Sequence, residues 1–241
     1  MRLSAFQAHF SKMYGVNNSV FIPSLLRRIS LLSVAVRTLN DCMRKKESKE
    51  RIARSLAHVF AWAYAVVDNF KALPLEEAMC MKYPLSHCGY CGKNPCECSS
   101  SKRDAHQEQE VDDRQLHWPL DFWQQHLGNL YSKGNKERGI DNALLRLIQE
   151  ISEVTQITEE PYVGYTAEMI QKEYAMEIAD VFAWIIGIAV ILDIDLQREV
   201  NKMFGDTCPC CGKNPCNGAK YLIEDGKIVS MTSSHFSTKT I

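Results

Sequence analysis

Apolar residues along this chain recur at three- and four-residue steps instead of alternating. Leu144, Leu145, Ile148, Ile151 and Val154 mark one stripe; Ile178, Val181, Phe182, Ile185, Ile188, Ala189 and Leu192 mark another. Such a period gathers the apolar side chains on one face of an α-helix, where residues three and four apart are neighbours. A further short helix is predicted over LQREVNKMF, capped by Asp195 and ended by Gly205. The exception is YLIEDGKIVS, from Tyr221, where Asp-Gly between apolar flanks predicts a short β-hairpin ahead of a frayed end. The fold class read from the pattern is all-α.

The pattern is also written twice. LSAFQAHFSKMYGVNN from Leu3 aligns with LDFWQQHLGNLYSKGN from Leu120, and SLLRRISLLSV from Ser24 with ALLRLIQEISE from Ala143. AHVFAWAYAVV from Ala57 then matches ADVFAWIIGIA from Ala179, and CGYCGKNPC from Cys88 matches CPCCGKNPC from Cys208. Four blocks in one order at nearly one spacing are a duplication. Between them SSSKRDAHQEQEVDD, from Ser99, has the polar composition of an exposed linker. The expected organisation is a first repeat over 1–98, a linker over 99–115, a second repeat over 116–218, and a hairpin and tail over 219–241. Two antiparallel bundles, or one pseudo-symmetric fused bundle, would bury the helical stripes.

Charge and length narrow the class. Lys and Arg total 28 against 29 Asp and Glu, so no summed field draws the chain to nucleic acid or to an anionic membrane. The first residues lack a secretory signal, and the apolar run Val181 to Leu192 is too short to span a bilayer and is flanked by Asp180 and Asp193. A soluble, cytoplasmic protein is expected.

Eight of the ten cysteines fall in two compact clusters, which favours metal thiolates over disulfides in a chain without an export signal. Cys88, Cys91, Cys96 and Cys98 have the spacing of a closed, structural Zn²⁺ site. Cys208, Cys211 and Cys216 repeat the first three positions, but Gly218 stands opposite Cys98. The fourth ligand there is either the extra Cys210 or a group from elsewhere in the chain.

The other candidate chemistry is acidic. Glu150 and Glu153 share one helix face, Glu177 and Asp180 share a face of the next long helix, and Glu173 lies one turn earlier. If those faces meet, four carboxylates converge, and like charges so close need a cation. Oxygen-only ligation favours Mg²⁺, then Mn²⁺. Opposite these residues in the first repeat stand Leu31, Val34, Ser55 and His58, so only the second repeat keeps the acids.

Q-E-I-S-E at Gln149 to Glu153, then E-I-A-D at Glu177 to Asp180 followed by Val-Phe-Ala-Trp, resembles the E-E-x-x-E then E-x-x-D signature of MazG-like nucleotide pyrophosphohydrolases. The resemblance covers residues 120 to 216 well and the first repeat only in its apolar framework; Gln149 stands where that family has its first Glu. It implies tandem MazG-like helical bundles forming an intrachain pseudo-dimer, with the acid-free first repeat completing the pocket. It also implies Mg²⁺-dependent cleavage of a nucleoside triphosphate to monophosphate and pyrophosphate, with Glu150, Glu153, Glu177 and Asp180 as metal ligands and catalytic groups. Lys202 and Asn201 occupy the positions of the family's phosphate- and sugar-contacting end; their counterparts in the first repeat are Lys82 and Met81. Trp123, Trp184 and Tyr131 are candidates for stacking a base, but Trp184 shares Phe-Ala-Trp with the first repeat and is assigned to the core. The rival readings are a catalytically silent nucleotide sensor or scaffold within a larger assembly, and a zinc-knuckle nucleic-acid module, which the balanced charge argues against. A homo-oligomer and a partner protein both stay open.

Overall fold

The computed structural model describes residues 1–69, 75–98, 110–159 and 164–216, together with the paired segments 223–224 and 227–228. Residues 99–109 of the expected 99–115 linker, Gly218 and the expected frayed end lie outside them; the linker's last residue, Gln115, is buried and opens a 3₁₀ turn instead of lying exposed. Helices dominate: α1 (Leu3–Phe21), α2 (Leu25–Arg44), α3 (Lys49–Val67), α4 (Leu75–Lys82), a 3₁₀ turn (Gln115–His117), α5 (Leu120–Glu159), α6 (Ala167–Ile191) and α7 (Leu196–Phe204). Strands β1 (Ile223–Glu224) and β2 (Lys227–Ile228) pair antiparallel, with Ile223 opposite Ile228, within the expected hairpin.

Local chemistry sets the helix ends. Ser48, Thr166 and Asp195 accept from the backbone N–H of Arg51, Met169 and Arg198 at 3.3, 3.2 and 2.9 Å, capping α3, α6 and α7. In the first repeat Pro23 lies in the break between α1 and α2, whose axes bend by 119°. Proline supplies no N–H and disfavours helix in the residue before it, so the break falls there. The second repeat turns at Gly139, whose φ of +80° lies in the left-handed region, inside what is otherwise one 40-residue helix.

The two repeats interlock. α5 packs along α6 and α2 along α3, while α4 of the first repeat lies on α6 of the second and α7 of the second lies on α3 of the first. The repeat starts meet as well, through the Leu120 N–H donating to the Met1 carbonyl at 2.9 Å. A shared aromatic core crosses the junction, with ring centroids 5.5 Å apart for Phe60–Phe182, 4.8 Å for Tyr64–Phe182 and 5.3 Å for Phe10–Phe204. Phe60 and Phe182 are repeat counterparts, and each is wholly buried. Burying a side chain of that size contributes about 1.5–3 kcal/mol. The fused bundle, not two side-by-side bundles, is what the chain forms. α6 is the one described helix long and apolar enough to cross a membrane, but 78% of its most apolar stretch is buried against the other helices.

Candidate functional site

Glu150 on α5 and Glu177 on α6 lie about equally far from the junction of those helices, so antiparallel packing brings them level. Carboxylate oxygens of Glu150, Glu153 and Glu177 all come within 4.8 Å of one another. Glu150 is buried, Glu177 half-buried and Glu153 exposed, so the cluster opens to solvent on the Glu153 side. Burial first, then repulsion from Asp180, Glu153 and Glu177, raises the Glu150 carboxyl to about 8. Burial likewise dominates at Glu177, which rises to about 7; Lys82 opposes the rise, and Asp180 and Glu153 reinforce it. These acids resist ionising together, which is the condition a hard divalent cation relieves.

Asp180 sits beside the cluster but faces elsewhere. Its Oδ2 pairs with the Lys82 ammonium, and its Oδ1 accepts from the Tyr83 hydroxyl. Lys82 also lies 3.8 Å from Glu177 Oε1. Burial pushes the Lys82 ammonium down, but Asp180 and Glu177 outweigh it and hold it above its ordinary value. Lys82 closes α4 and Tyr83 follows it, so the first repeat supplies both groups to the second repeat's acids. The Trp184 indole N–H donates to Glu150 Oε1 at 3.2 Å, which makes Trp184 part of this site as well as of the core.

The other expected contacts fall outside the cluster. Lys202 and Asn201 are exposed on α7, the helix that packs on α3; with Asp121, Asp195, Gln197 and Arg198 they line an open surface depression instead. Lys202 pairs loosely with Glu199, at 4.0 Å. Trp123 is 0% exposed, among Trp118 and His126, and presents no face to a base. Tyr131 is half-buried and its hydroxyl donates to Cys88 Sγ at 3.6 Å. Gln149 is exposed and accepts from Arg146 at 3.0 Å, away from the acids. Lys82 and Tyr83 are thus the site residues that sequence reasoning missed, whereas Trp184, assigned to the core, also contacts Glu150. Only Lys82 left a signal, as the counterpart of Lys202.

The two cysteine loops share one backbone. Cys88 and Cys208 donate to the Lys93 and Lys213 carbonyls at 2.9 and 3.0 Å, and Gly92 and Gly212 donate back at 2.8 Å. Both glycines have left-handed φ, +66° and +67°, which closes the turn without a Cβ clash. In the first loop the sulfurs of Cys88, Cys91, Cys96 and Cys98 lie within 4.8 Å of one another. Cys88–Cys98 at 3.8 Å and Cys91–Cys96 at 4.0 Å match the edge, about 3.8 Å, of a tetrahedron with Zn–S near 2.3 Å. Cys208, Cys211 and Cys216 form a three-sulfur version; Cys210 is exposed, and its thiol hydrogen-bonds that of Cys208 at the edge of the trio. Either set could hold zinc, and all ten cysteines are free thiols. Each loop is docked on the opposite repeat: the Cys96 N–H donates to the Leu130 carbonyl, and the Cys216 N–H to that of its counterpart, Met13, both at 2.8 Å. Searches against protein-family models, curated proteins and solved structures found no match to this chain.

Proposed function

We propose that the chain is a Mg²⁺-dependent pyrophosphohydrolase that cleaves a nucleoside or deoxynucleoside triphosphate to the monophosphate and pyrophosphate, with Mn²⁺ able to replace Mg²⁺. The observation that carries this reading is the convergence of Glu150, Glu153 and Glu177 within 4.8 Å. The donor set is oxygen-only and electron-rich, which fits a hard divalent ion, and Glu150 and Glu177 are acids whose burial makes their joint ionisation unfavourable without one. The choice of nucleotide rests on the likeness of Gln149 to Glu153 and Glu177 to Asp180 to the MazG-like signature.

When bound, the ion supplies charge neutralisation for the triphosphate oxygens and Lewis acidity. The chain's own groups do the rest. Trp184 fixes Glu150, and the buried Lys82 ammonium places a positive charge beside the acids. Glu153, the most exposed of the three, takes the proton from the water that attacks phosphorus. The cysteine loops hold structural zinc and supply no group that touches substrate or the Mg²⁺.

One observation favours a second reading, a catalytically silent nucleotide sensor or scaffold. Both Asp180 oxygens are engaged by Lys82 and Tyr83, and Gln149 lies outside the cluster, so fewer free acids face the cation than in the family signature. Incubation of the protein with a panel of NTPs and dNTPs and Mg²⁺, followed by product identification by phosphorus NMR, separates the two. The hydrolase reading expects monophosphate and pyrophosphate in equal amounts; nucleotide binding without turnover across the panel supports the sensor.

A further inference from the structure

The first cysteine loop begins only five residues after Tyr83, and the structure ties it to the acids by a continuous path. Cys96 fastens the loop to the Leu130 carbonyl on α5 at 2.8 Å. The adjacent Tyr131 donates its hydroxyl to Cys88 Sγ at 3.6 Å and sets its ring edge-on to Tyr83, with centroids 6.1 Å apart and planes at 87°. The Tyr83 carbonyl accepts from Gln115 Nε2 at 3.0 Å, and the Tyr83 hydroxyl donates to Asp180. Lys82, next in the chain, pairs with the other Asp180 oxygen and with Glu177.

We propose that the first zinc loop is a positioning device for the carboxylate site: through Tyr131 and Tyr83 it holds Lys82 on Asp180 and Glu177, committing Asp180 to the first repeat and leaving Glu150, Glu153 and Glu177 to the cation. The assignment of a cation to those acids rests on the function proposed above; the coupling of the loop to Lys82 does not. Tyr83 and Tyr131 are positioning residues, since neither lies in the three-acid cluster. The second loop is a built-in control. Tyr14, the counterpart of Tyr131, hydrogen-bonds Cys208, but its ring leans on Phe204, at 6.5 Å, and Phe204 in turn meets His58, the counterpart of Asp180, at 5.6 Å.

The path is tested in the full chain by the rate at which an amine-acetylating reagent modifies Lys82, read by mass spectrometry against Lys202, whose side chain is 65% exposed. Zinc content and helical circular dichroism are recorded in parallel. Cys88→Ser, which opens the first loop, is expected to raise Lys82 modification about tenfold or more relative to Lys202, as local opening exposes a buried group. Tyr131→Phe, which removes one hydroxyl, should raise it severalfold with zinc and helix content retained, whereas Tyr14→Phe should leave it unchanged. If Cys88→Ser costs the fold as well, Tyr131→Phe decides. Protection of Lys82 unchanged in Tyr131→Phe, or raised equally by Tyr14→Phe, overturns the coupling. The labelling does not depend on turnover, so a protein that hydrolyses nothing but shows this pattern defeats the hydrolase reading alone. Hydrolysis with Lys82 protected in both variants defeats the coupling alone.

Discussion

Lys82 reaches across from one repeat to two acids of the other, and its side chain is only 8% exposed, with that of Asp180 at 10%. Removing one partner of a buried ion pair strands the other's charge, at a cost of about 3–5 kcal/mol. Lys82→Ala should therefore destabilise the protein by that order in denaturant unfolding with chelator present, and Mg²⁺ should restore part of the loss; a change within about 0.5 kcal/mol would mean that the pair does not form. Glu150 and Glu177 give a pH signature with a definite sign. Their folded values, about 8 and about 7, lie above the ordinary carboxylate value of 4.5. In metal-free protein the unfolded chain thus releases these protons first, and the stability present below pH 4.5 is lost as pH rises through 7 to 8. Since Mg²⁺ relieves that repulsion, the rise in melting temperature on adding it should grow from pH 5.5 to 8.5, and Glu150→Gln should flatten the trend. A Mg²⁺ effect independent of pH contradicts the buried cluster. The three clustered acids were legible because i,i+3 spacing fixes a helix face; the burial of Trp123 was not, because an aromatic residue reads alike on a binding surface and in a core.

At the scale of elements, caps and periodicity made most helices readable: Asp195 and Gly205 bound α7 as expected. The turn at Gly139 left only a weak mark, since an isolated glycine inside a helical pattern is ordinarily tolerated. The reach of α4 and α7 was not legible at all. Repeat alignment shows that a lysine recurs at 82 and 202, but which acids it meets depends on the crossing of helices far apart in sequence. The crossing puts Lys82 on α6, and puts Lys202 on the side of α3, where Ser55 and His58 replace the acids. The cysteine loops were legible because thiolate ligation demands close spacing. Protein purified without added metal should contain close to two equivalents of zinc by elemental analysis, one in each cysteine loop. Zinc-free protein with its thiols paired as disulfides contradicts that assignment.

As a whole molecule, the chain is one interlocked bundle in which each repeat's last helix and cysteine loop complete the other. The aromatic bridge at Phe60 and Phe182 should make unfolding a single cooperative event, and Phe182→Ala should cost about 3–5 kcal/mol and lower stability in both repeats together. Two separate calorimetric transitions, with only the second shifted, would show independent repeats. Duplication explains how such a molecule keeps one acidic site: the first repeat has Leu31, Val34, Ser55 and His58 where the second has acids, yet contributes Lys82 and Tyr83. The most direct test of the proposed chemistry is pyrophosphate release from the preferred triphosphate with Mg²⁺, measured for the unmodified protein beside Glu177→Gln and Ser55→Ala. Glu177→Gln keeps shape and removes one ligand charge, so turnover should fall about a hundredfold or more, on the order of 3 kcal/mol of transition-state stabilisation, while Ser55→Ala stays within a few-fold. Full activity in Glu177→Gln, or equal losses from both changes, would place the chemistry elsewhere than in the α5–α6 carboxylates.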